Sequence, residues 1–214
     1  MYIPKDFFLD DPARIAEVLR GHGFAVVVSA LEGAPPRATH LPIMFEAGRG
    51  AKGTLVAHMA RANPHWRDFA TLTATGGEAL VVFSGPHAYV SPSWYAGGPA
   101  VPTWNYVAVH AYGVPRLVED PARVRTVLCE LVAANESSRA APWSLEAQDE
   151  TYLARMMRAI VVFEIPIARL EAKAKLNQNK SEEDRRGVIA ALREGGDSTA
   201  AALATWMDAL ASGG

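Results

Sequence analysis

Six short segments rich in valine and aromatic residues constrain the fold of this chain more than any other feature of its sequence. Each is bounded by glycine or proline, and such runs between turn residues are typical of β-strands. They occupy residues 24–30, 38–46, 53–58, 78–85, 104–118 and 159–170. Because several short strands joined mostly by tight connections favour an antiparallel sheet or barrel, we expect a mainly β protein with flanking helices.

Helical spacing lies before, between and after these segments. Two copies of the motif DPAR each place an Asp N-cap before a proline and an apolar stripe, and "LEAQDETYLARMMR" predicts a third helix. From Lys173 the chain switches to helical spacing without strand signals, and Ser181 with Asp184 resembles a capping box. We therefore predict a barrel domain over residues 1–170 and a C-terminal helical segment over 171–214.

The composition limits the classes of partner. A formal net charge of −2 gives no general field for strong nucleic-acid binding, so any contact with DNA needs a local basic patch or a partner. The single cysteine, Cys129, excludes an intramolecular disulfide framework and suits a reducing cytoplasm. No apolar run approaches the ~20 residues of a membrane helix. We expect a soluble, cytoplasmic protein with no membrane association.

A candidate anion site follows the third segment, in "GTLVAHMARANPHWRDF". A strand is expected to end near His58, and Asn63 with Pro64 to form the N-cap and first position of a helix. Free backbone N–H groups would then point outwards beside Arg61, and oriented donors with a guanidinium are what a terminal phosphate needs. The alternative is an ordinary capped helix with a surface arginine.

A second set of donors lies just before the helix predicted at Ser181. This set comprises Lys175, Gln178, Asn179 and Lys180. Dense donors at a helix N-terminus again suit an anion. A solvated, charged hinge into a tail helix remains an equal alternative.

The aromatic stretch over residues 89–113 raises a third possibility. Tyrosine and tryptophan faces stack on planar heterocycles, and Trp94 and Trp104 flank a Gly/Pro loop that belongs at the surface. Core packing uses the same residue types, so we expect only some of these rings to reach a ligand.

Other classes of site have weaker signals. The six histidines show neither HExxH nor paired Cys/His spacing, so no metal site is predicted. No GxSxG elbow is present, no strand is followed by GxGxxG, and Cys129 lies in an amphipathic helix. No catalytic residue is assigned, and no helix-turn-helix pattern stands out.

Taken together, six motifs resemble, in this order along the chain, the PaiB family of FMN-binding negative transcriptional regulators. They are "MYIPKDF", "THLPIMFE", "GTLVAHMARANPHW", "FSGPHAYVSPSWY", "VPTWNYVAVHAYG" and "KLNQNKSEED". The resemblance implies an FMN-binding split β-barrel, antiparallel and of Greek-key type, with a helical C-terminal tail. It also implies a homodimer with FMN near the subunit interface, and repression of genes for degradative enzymes and sporulation.

The same resemblance suggests roles for individual residues. It places the FMN phosphate and ribityl contacts at His58, Met59, Arg61, Ala62 and Asn63. It places the isoalloxazine ring along Thr39, His40, Leu41 and Pro42. Trp94 and Trp104 would line the flavin or the dimer interface. Further contacts from the C-terminal side would come from Lys175, Gln178, Asn179 and Lys180.

Three functional hypotheses follow. The leading one is an FMN-binding, homodimeric negative transcriptional regulator, with DNA as a candidate partner. The second is an FMN-dependent oxidoreductase, of flavin reductase or pyridoxamine-phosphate-oxidase type, without direct DNA binding. The third is a dimeric interaction module with an empty barrel.

Overall fold

Residues 1–211, the part of the chain that the computed structural model describes, contain eight strands and six α-helices. The strands are β1 (Phe24–Ser29), β2 (Arg37–Glu46), β3 (Thr54–Ala60), β4 (Ala79–Val90), β5 (Thr103–Gly113), β6 (Arg116–Val118), β7 (Ile160–Pro166) and β8 (Arg169–Lys175). The helices are α1 (Pro12–Gly21), α2 (His65–Thr75), α3 (Pro121–Glu136), α4 (Glu150–Arg158), α5 (Glu182–Glu194) and α6 (Ser198–Ala211). Each of the six predicted segments contains a strand. The helices predicted from the two DPAR motifs and from "LEAQDETYLARMMR" are present as α1, α3 and α4.

The strand order is β6-β7-β3-β2-β1-β4-β5-β8 within the described residues. Every pair whose register is given is antiparallel. Strand β2 changes partner along its length, because residues 37–42 pair with β1 whereas residues 43–46 pair with β3. The sheet therefore forks beside residues 39–42, where β2 and β3 separate.

Strand β8 was not predicted, because helical spacing was expected from Lys173. The strand instead continues to Lys175, and Lys173 is only 6 % exposed. Its ammonium group donates to the Tyr2 carbonyl oxygen at 3.2 Å and lies 5.1 Å from the centre of the Tyr106 ring. A buried lysine beside an aromatic ring is a tertiary arrangement that local sequence does not reveal.

The described chain divides into two compact units. The first unit comprises His22–Phe83 and His110–Leu170, and the second comprises Met1–Gly21, Ser84–Val109 and the described part of the segment that begins at Glu171. The predicted division at residue 170 falls within β8.

Aromatic rings fill the core of the first unit. Phe69 and Phe163 are both fully buried, and their ring centres lie 4.7 Å apart. On the outer face of the sheet, Val56 of β3 and Val162 of β7 pack against Val127 of α3. Helix α3 therefore covers one part of the outer face of β3 and β7 and fixes what remains accessible beside it.

Candidate functional site

Arg61 lies in the loop between β3 and α2, in the first unit. Its guanidinium Nε donates to the Arg158 carbonyl oxygen at 2.8 Å and its Nη2 donates to the Ile160 carbonyl oxygen at 2.9 Å. Its own backbone N–H donates to the Ala159 carbonyl oxygen at 2.8 Å. Nη1 makes no hydrogen bond to any residue in the described range, so a held guanidinium keeps donors for an anion.

The backbone of the same loop is more fully used than predicted. Asn63 N–H donates to the Ala60 carbonyl oxygen, and Asn63 Oδ1 accepts from His65 N–H at 3.0 Å. Helix α2 begins at His65, one residue later than predicted, and Pro64 before it already has helical backbone angles. Of the backbone N–H groups of residues 61–63, only that of Ala62 lacks a partner among the described residues.

Alternation along β2 and β3 divides the predicted ring-binding residues between two faces. Met44 pairs with Val56, and both side chains pack under α3 on the outer face of the sheet. Pro42 lies two residues before Met44 and His58 two residues after Val56, so alternation places both on this same outer face. His40 and Pro42 are exposed there. Leu41 and Met59 are only 8 % and 2 % exposed, on the opposite face, so they could reach a ligand on the outer face only through their backbone.

His58 carries an unsatisfied polar atom on this outer face. Its Nδ1 is buried and has no hydrogen-bond partner among the described residues. Burial lowers the pKa of His58, which favours the neutral ring at neutral pH. A buried nitrogen without a partner is costly, so a bound group that hydrogen-bonds to it would be stabilised there.

A cavity of about 560 Å³ adjoins Arg61 in the first unit, a volume within the usual range for small-molecule sites. Its wall is mainly apolar and includes Trp66, Val124, Met157 and Val162. Val162 is also the β7 partner of His58, so β3 lies next to a strand that lines the cavity. The sequence did not indicate this cavity, because its wall combines the Arg61 loop with five elements, α2, β6, α3, α4 and β7, that come from separate parts of the chain.

Thr39 is tied to the Arg61 loop by its side chain. Its Oγ1 accepts from Asn63 Nδ2 at 3.3 Å and lies 2.8 Å from His65 Nδ1. The structure therefore brings together Thr39 and Asn63, two residues that the sequence placed at different ends of the flavin. It adds His65, which the sequence did not single out.

The two predicted tryptophans lie in the second unit. Trp94 and Trp104 both line a cavity of about 340 Å³, together with Tyr89 and residues of α5 and α6. Trp104 is 54 % exposed and its ring lies 5.7 Å from that of His87. These rings form an accessible aromatic surface, as expected for the Gly/Pro loop, rather than a closed core.

The predicted C-terminal donors also lie in the second unit, where the side chains of two of the four are engaged. Lys175 Nζ donates to Thr103 Oγ1 and to the Trp104 carbonyl oxygen. Gln178 closes its own loop, because its Oε1 accepts from Leu176 N–H and its Nε2 donates to the Ala174 carbonyl oxygen. Their side chains therefore support the fold of the second unit.

The remaining two donors are more accessible. The Lys180 ammonium lies 5.0 Å from the Tyr95 ring centre, and the exposed Asn179 side chain makes no hydrogen bond to a described residue. The capping box at Ser181 forms on one side only, since Asp184 accepts from Ala96 N–H at 2.9 Å instead of returning to the cap.

A sequence family described as "Putative FMN-binding domain" matches residues 1–169. Over 97 % of both chains, this sequence is 35 % identical to protease synthase and sporulation protein PAI 2 of Bacillus subtilis. The chain belongs to this FMN-binding, PaiB-type family. An uncharacterised protein of Emericella nidulans is 33 % identical over 72 % of this chain and 73 % of its own.

Solved structures support the fold. The FAD and heme binding protein of Mycobacterium smegmatis matches with a TM-score of 0.56 at 21 % identity, covering 85 % of this chain and 78 % of that one. The flavocytochrome Anf3 of Azotobacter vinelandii matches with a TM-score of 0.56 at 17 % identity, covering 82 % and 73 %. The predicted fold class, a mainly β antiparallel split barrel with flanking helices, is confirmed.

The first unit fits the cofactor of this family, FMN. The Arg61 Nη1 group and the Ala62 N–H are donors without a described partner, as a phosphate requires, and His58 Nδ1 offers a buried polar atom nearby in the sequence. Within residues 1–211, no cluster of three or more His, Cys, Asp or Glu side chains could hold a metal ion. The same residues include no helix long and apolar enough to cross a membrane.

Proposed function

We propose that this chain is an FMN-binding, homodimeric negative transcriptional regulator of PaiB type that acts in the cytoplasm. The observation that carries the proposal is its near full-length relationship to a Bacillus protein named for protease synthesis and sporulation. The relationship extends beyond residue 169, where the match to the FMN-binding family ends, so it includes sequence that forms the C-terminal helices in this chain.

The first unit supplies the proposed FMN contacts. Arg61 Nη1 and the Ala62 N–H would bind the phosphate, since a charged donor and a backbone donor act together on it. The isoalloxazine ring would lie on the outer face of β2 and β3, against Pro42, with its polar edge at His58 Nδ1. When bound, FMN supplies one-electron and two-electron redox chemistry that the protein side chains lack.

DNA binding tests the regulatory part of the proposal. Purified protein with FMN would be used to select genomic fragments at near-physiological salt, because nonspecific electrostatic binding weakens steeply as salt rises. Sequence-specific binding by a species with the mass of a dimer is the expected result. Retention of no fragment in either the oxidised or the reduced state would overturn direct regulation.

An FMN-dependent oxidoreductase is the second candidate, and His58 is the observation that favours it. A neutral imidazole with an unpaired nitrogen could donate a proton to a reacting group at the flavin ring, or accept a proton from it. NAD(P)H-dependent flavin reduction with turnover, lost in His58→Leu but with FMN still bound, would support this candidate. Yellow protein without turnover would oppose it, and colourless protein that takes up no FMN would favour an interaction module.

A further inference from the structure

His65, the first residue of α2, is fully buried and has a hydroxyl group at each ring nitrogen. Nδ1 lies 2.8 Å from Thr39 Oγ1, and Nε2 lies 2.9 Å from Ser29 Oγ. The ring also packs on Phe69, with centres 4.9 Å apart. Both nitrogens are therefore engaged away from solvent, and each contact requires one donor and one acceptor.

The series of hydrogen bonds that passes through Ser29 ends at the carboxylate of Asp68. Burial alone would raise the pKa of Asp68, but hydrogen bonds from Ser29 and Arg37 lower it below its ordinary value. Asp68 is thus an ionised carboxylate that can only accept, and Ser29 Oγ donates to it at 2.7 Å. Because this uses the only hydroxyl hydrogen of Ser29, Ser29 Oγ must accept from His65 Nε2–H.

The other ring nitrogen is fixed by the same reasoning. Burial lowers the pKa of His65, an effect that Asp68 opposes and Arg37 reinforces, so the ring is neutral at neutral pH. A neutral ring with its hydrogen on Nε2 has a bare Nδ1, which must accept from Thr39 Oγ1–H. The Thr39 oxygen is then free to accept from Asn63 Nδ2 at 3.3 Å.

We propose that His65 is a positioning residue for the FMN phosphate loop, and that it acts through a one-way hydrogen-bond relay. The relay runs Asn63 → Thr39 → His65 → Ser29 → Asp68. The inference rests on the proposed FMN site. His65 closes the loop a second time, because its backbone N–H donates to Asn63 Oδ1 at 3.0 Å. Both ends of the Asn63 amide are therefore held, and with them the loop that presents Arg61 and Ala62.

Protonation of His65 would break this relay at one point. A hydrogen on Nδ1 would point at the hydroxyl hydrogen of Thr39. The Thr39 hydroxyl would then have to rotate and stop donating to the ring. The charged groups around the ring are Asp68 on α2 and Arg37 on β2, with the Ser29 and Thr39 hydroxyls on β1 and β2. The phosphate loop should therefore loosen on acidification.

The direction of the relay can be tested without FMN affinity. Protein with ¹⁵N-labelled histidine, with and without added FMN, would be studied by imidazole ¹⁵N–¹H NMR at neutral pH. A His65 signal with a protonated Nε2 and a bare Nδ1 is the expected result. A proton on Nδ1, or a doubly protonated ring, would overturn the relay.

The positioning role is tested by FMN titration of Thr39→Val, which keeps the side-chain volume and removes the donor to Nδ1. Thr71→Val, at an exposed position on α2, is the matched control and should bind FMN like the wild type. We expect about a tenfold loss in Thr39→Val, since removing a buried hydrogen bond costs on the order of 1–3 kcal/mol and tenfold is about 1.4 kcal/mol. Riboflavin, which lacks the phosphate, should lose less.

A further variant links the affinity to the protonation of the ring. Wild-type FMN affinity should fall as His65 is protonated, and the fall should be smaller in His65→Gln, which cannot titrate. If Thr39→Val and Thr71→Val bind FMN equally well, His65 has only a structural role and the proposal fails. If the wild-type chain binds no FMN, the proposed site fails and the positioning role with it, whereas the NMR spectrum still decides the relay.

Discussion

The guanidinium Nε of Arg61 donates to the carbonyl oxygen of Arg158 at 2.8 Å. This contact fastens the loop before α2 to the last residue of α4, nearly a hundred positions further along the chain. Although Arg61 is exposed, its side chain is therefore held in one conformation and presents its remaining donors in one direction. A preorganised guanidinium loses less side-chain entropy when it binds an anion.

Replacing Arg61 should weaken FMN binding more than riboflavin binding. Arg61→Ala removes the charged donor proposed for the phosphate, and we expect a loss of about tenfold to a hundredfold for FMN, because charge-assisted hydrogen bonds contribute on the order of 1.5–3 kcal/mol. Fluorescence titration of both flavins would measure it, with Arg67→Ala on exposed α2 surface as the control. Equal losses for the two flavins would contradict a phosphate role.

Filling the cavity beside Arg61 should leave FMN affinity within about twofold of the wild type, a difference of under 0.5 kcal/mol. Ala154→Phe places a ring on the α4 wall of the cavity, whereas the flavin ring is proposed to lie on the outer face of β2 and β3. Ala133→Phe, exposed on α3 and not part of the cavity wall, controls for the added surface ring. A tenfold or greater loss of FMN affinity in Ala154→Phe but not in Ala133→Phe would indicate that the flavin ring binds in the cavity instead.

Acidification should destabilise the protein through His58 and His65. Burial lowers the pKa of both side chains in the folded state, so the unfolded chain takes up protons first as the pH falls through its histidine pKa of about 6.5. Stability from these groups is complete above that pH and declines below it, by at most about 1.4 kcal/mol per pH unit for each histidine.

Urea unfolding between pH 7.5 and 5.5 measures this dependence. The double variant His58→Gln with His65→Gln should show a shallower decline of unfolding free energy than the wild type. Identical slopes would show that other groups cause the decline.

Gly187 in α5 should resist substitution. A Cβ at this position would lie 2.2 Å from the Trp94 carbonyl oxygen, so Gly187→Ala forces the 3-10 turn over Pro92–Trp94 away from the helix. We expect a net loss of about 1–3 kcal/mol, the range typical of overpacking, even though alanine favours the helix by up to about 1 kcal/mol. Thermal unfolding is the measurement.

Gly21→Ala is the matched control, since no atom lies within 4 Å of a Cβ built there and Gly21 is the last residue of a helix. Gly21→Ala should be neutral or slightly stabilising. Equal melting temperatures for the two variants would contradict close packing at Gly187.

The strands and helix starts could be read from the sequence because each is encoded locally. Val-rich runs between Gly and Pro marked the strands, and Asp120 caps α3 as its position before a proline predicts. Strand β8 could not be read in this way, because the burial of Lys173 depends on Tyr106, which is far away in the chain. Local pattern carries no record of such a partner.

The candidate site was predicted in part. The motif "ARANPHW" pointed to the Arg61 loop, and the resemblance pointed to FMN. Neither indicated that Leu41 and Met59 face the core, that Gln178 is engaged within its own loop, or that a cavity lies beside Arg61. Whether these residues bind FMN stays a prediction, together with the roles of Trp94 and Trp104.

The sequence by itself determined the family, the cofactor and the positions of most strands, since motif order and period-two alternation are properties of the chain alone. Only the tertiary structure decided which donors remain free and which are used. Arg61 keeps Nη1 because two carbonyl oxygens from the end of α4 and the start of β7 take its other donors. The role inferred for His65 has the same origin, because the direction of its hydrogen bonds is set by Thr39 on β2, Ser29 on β1 and Asp68 one turn further along α2.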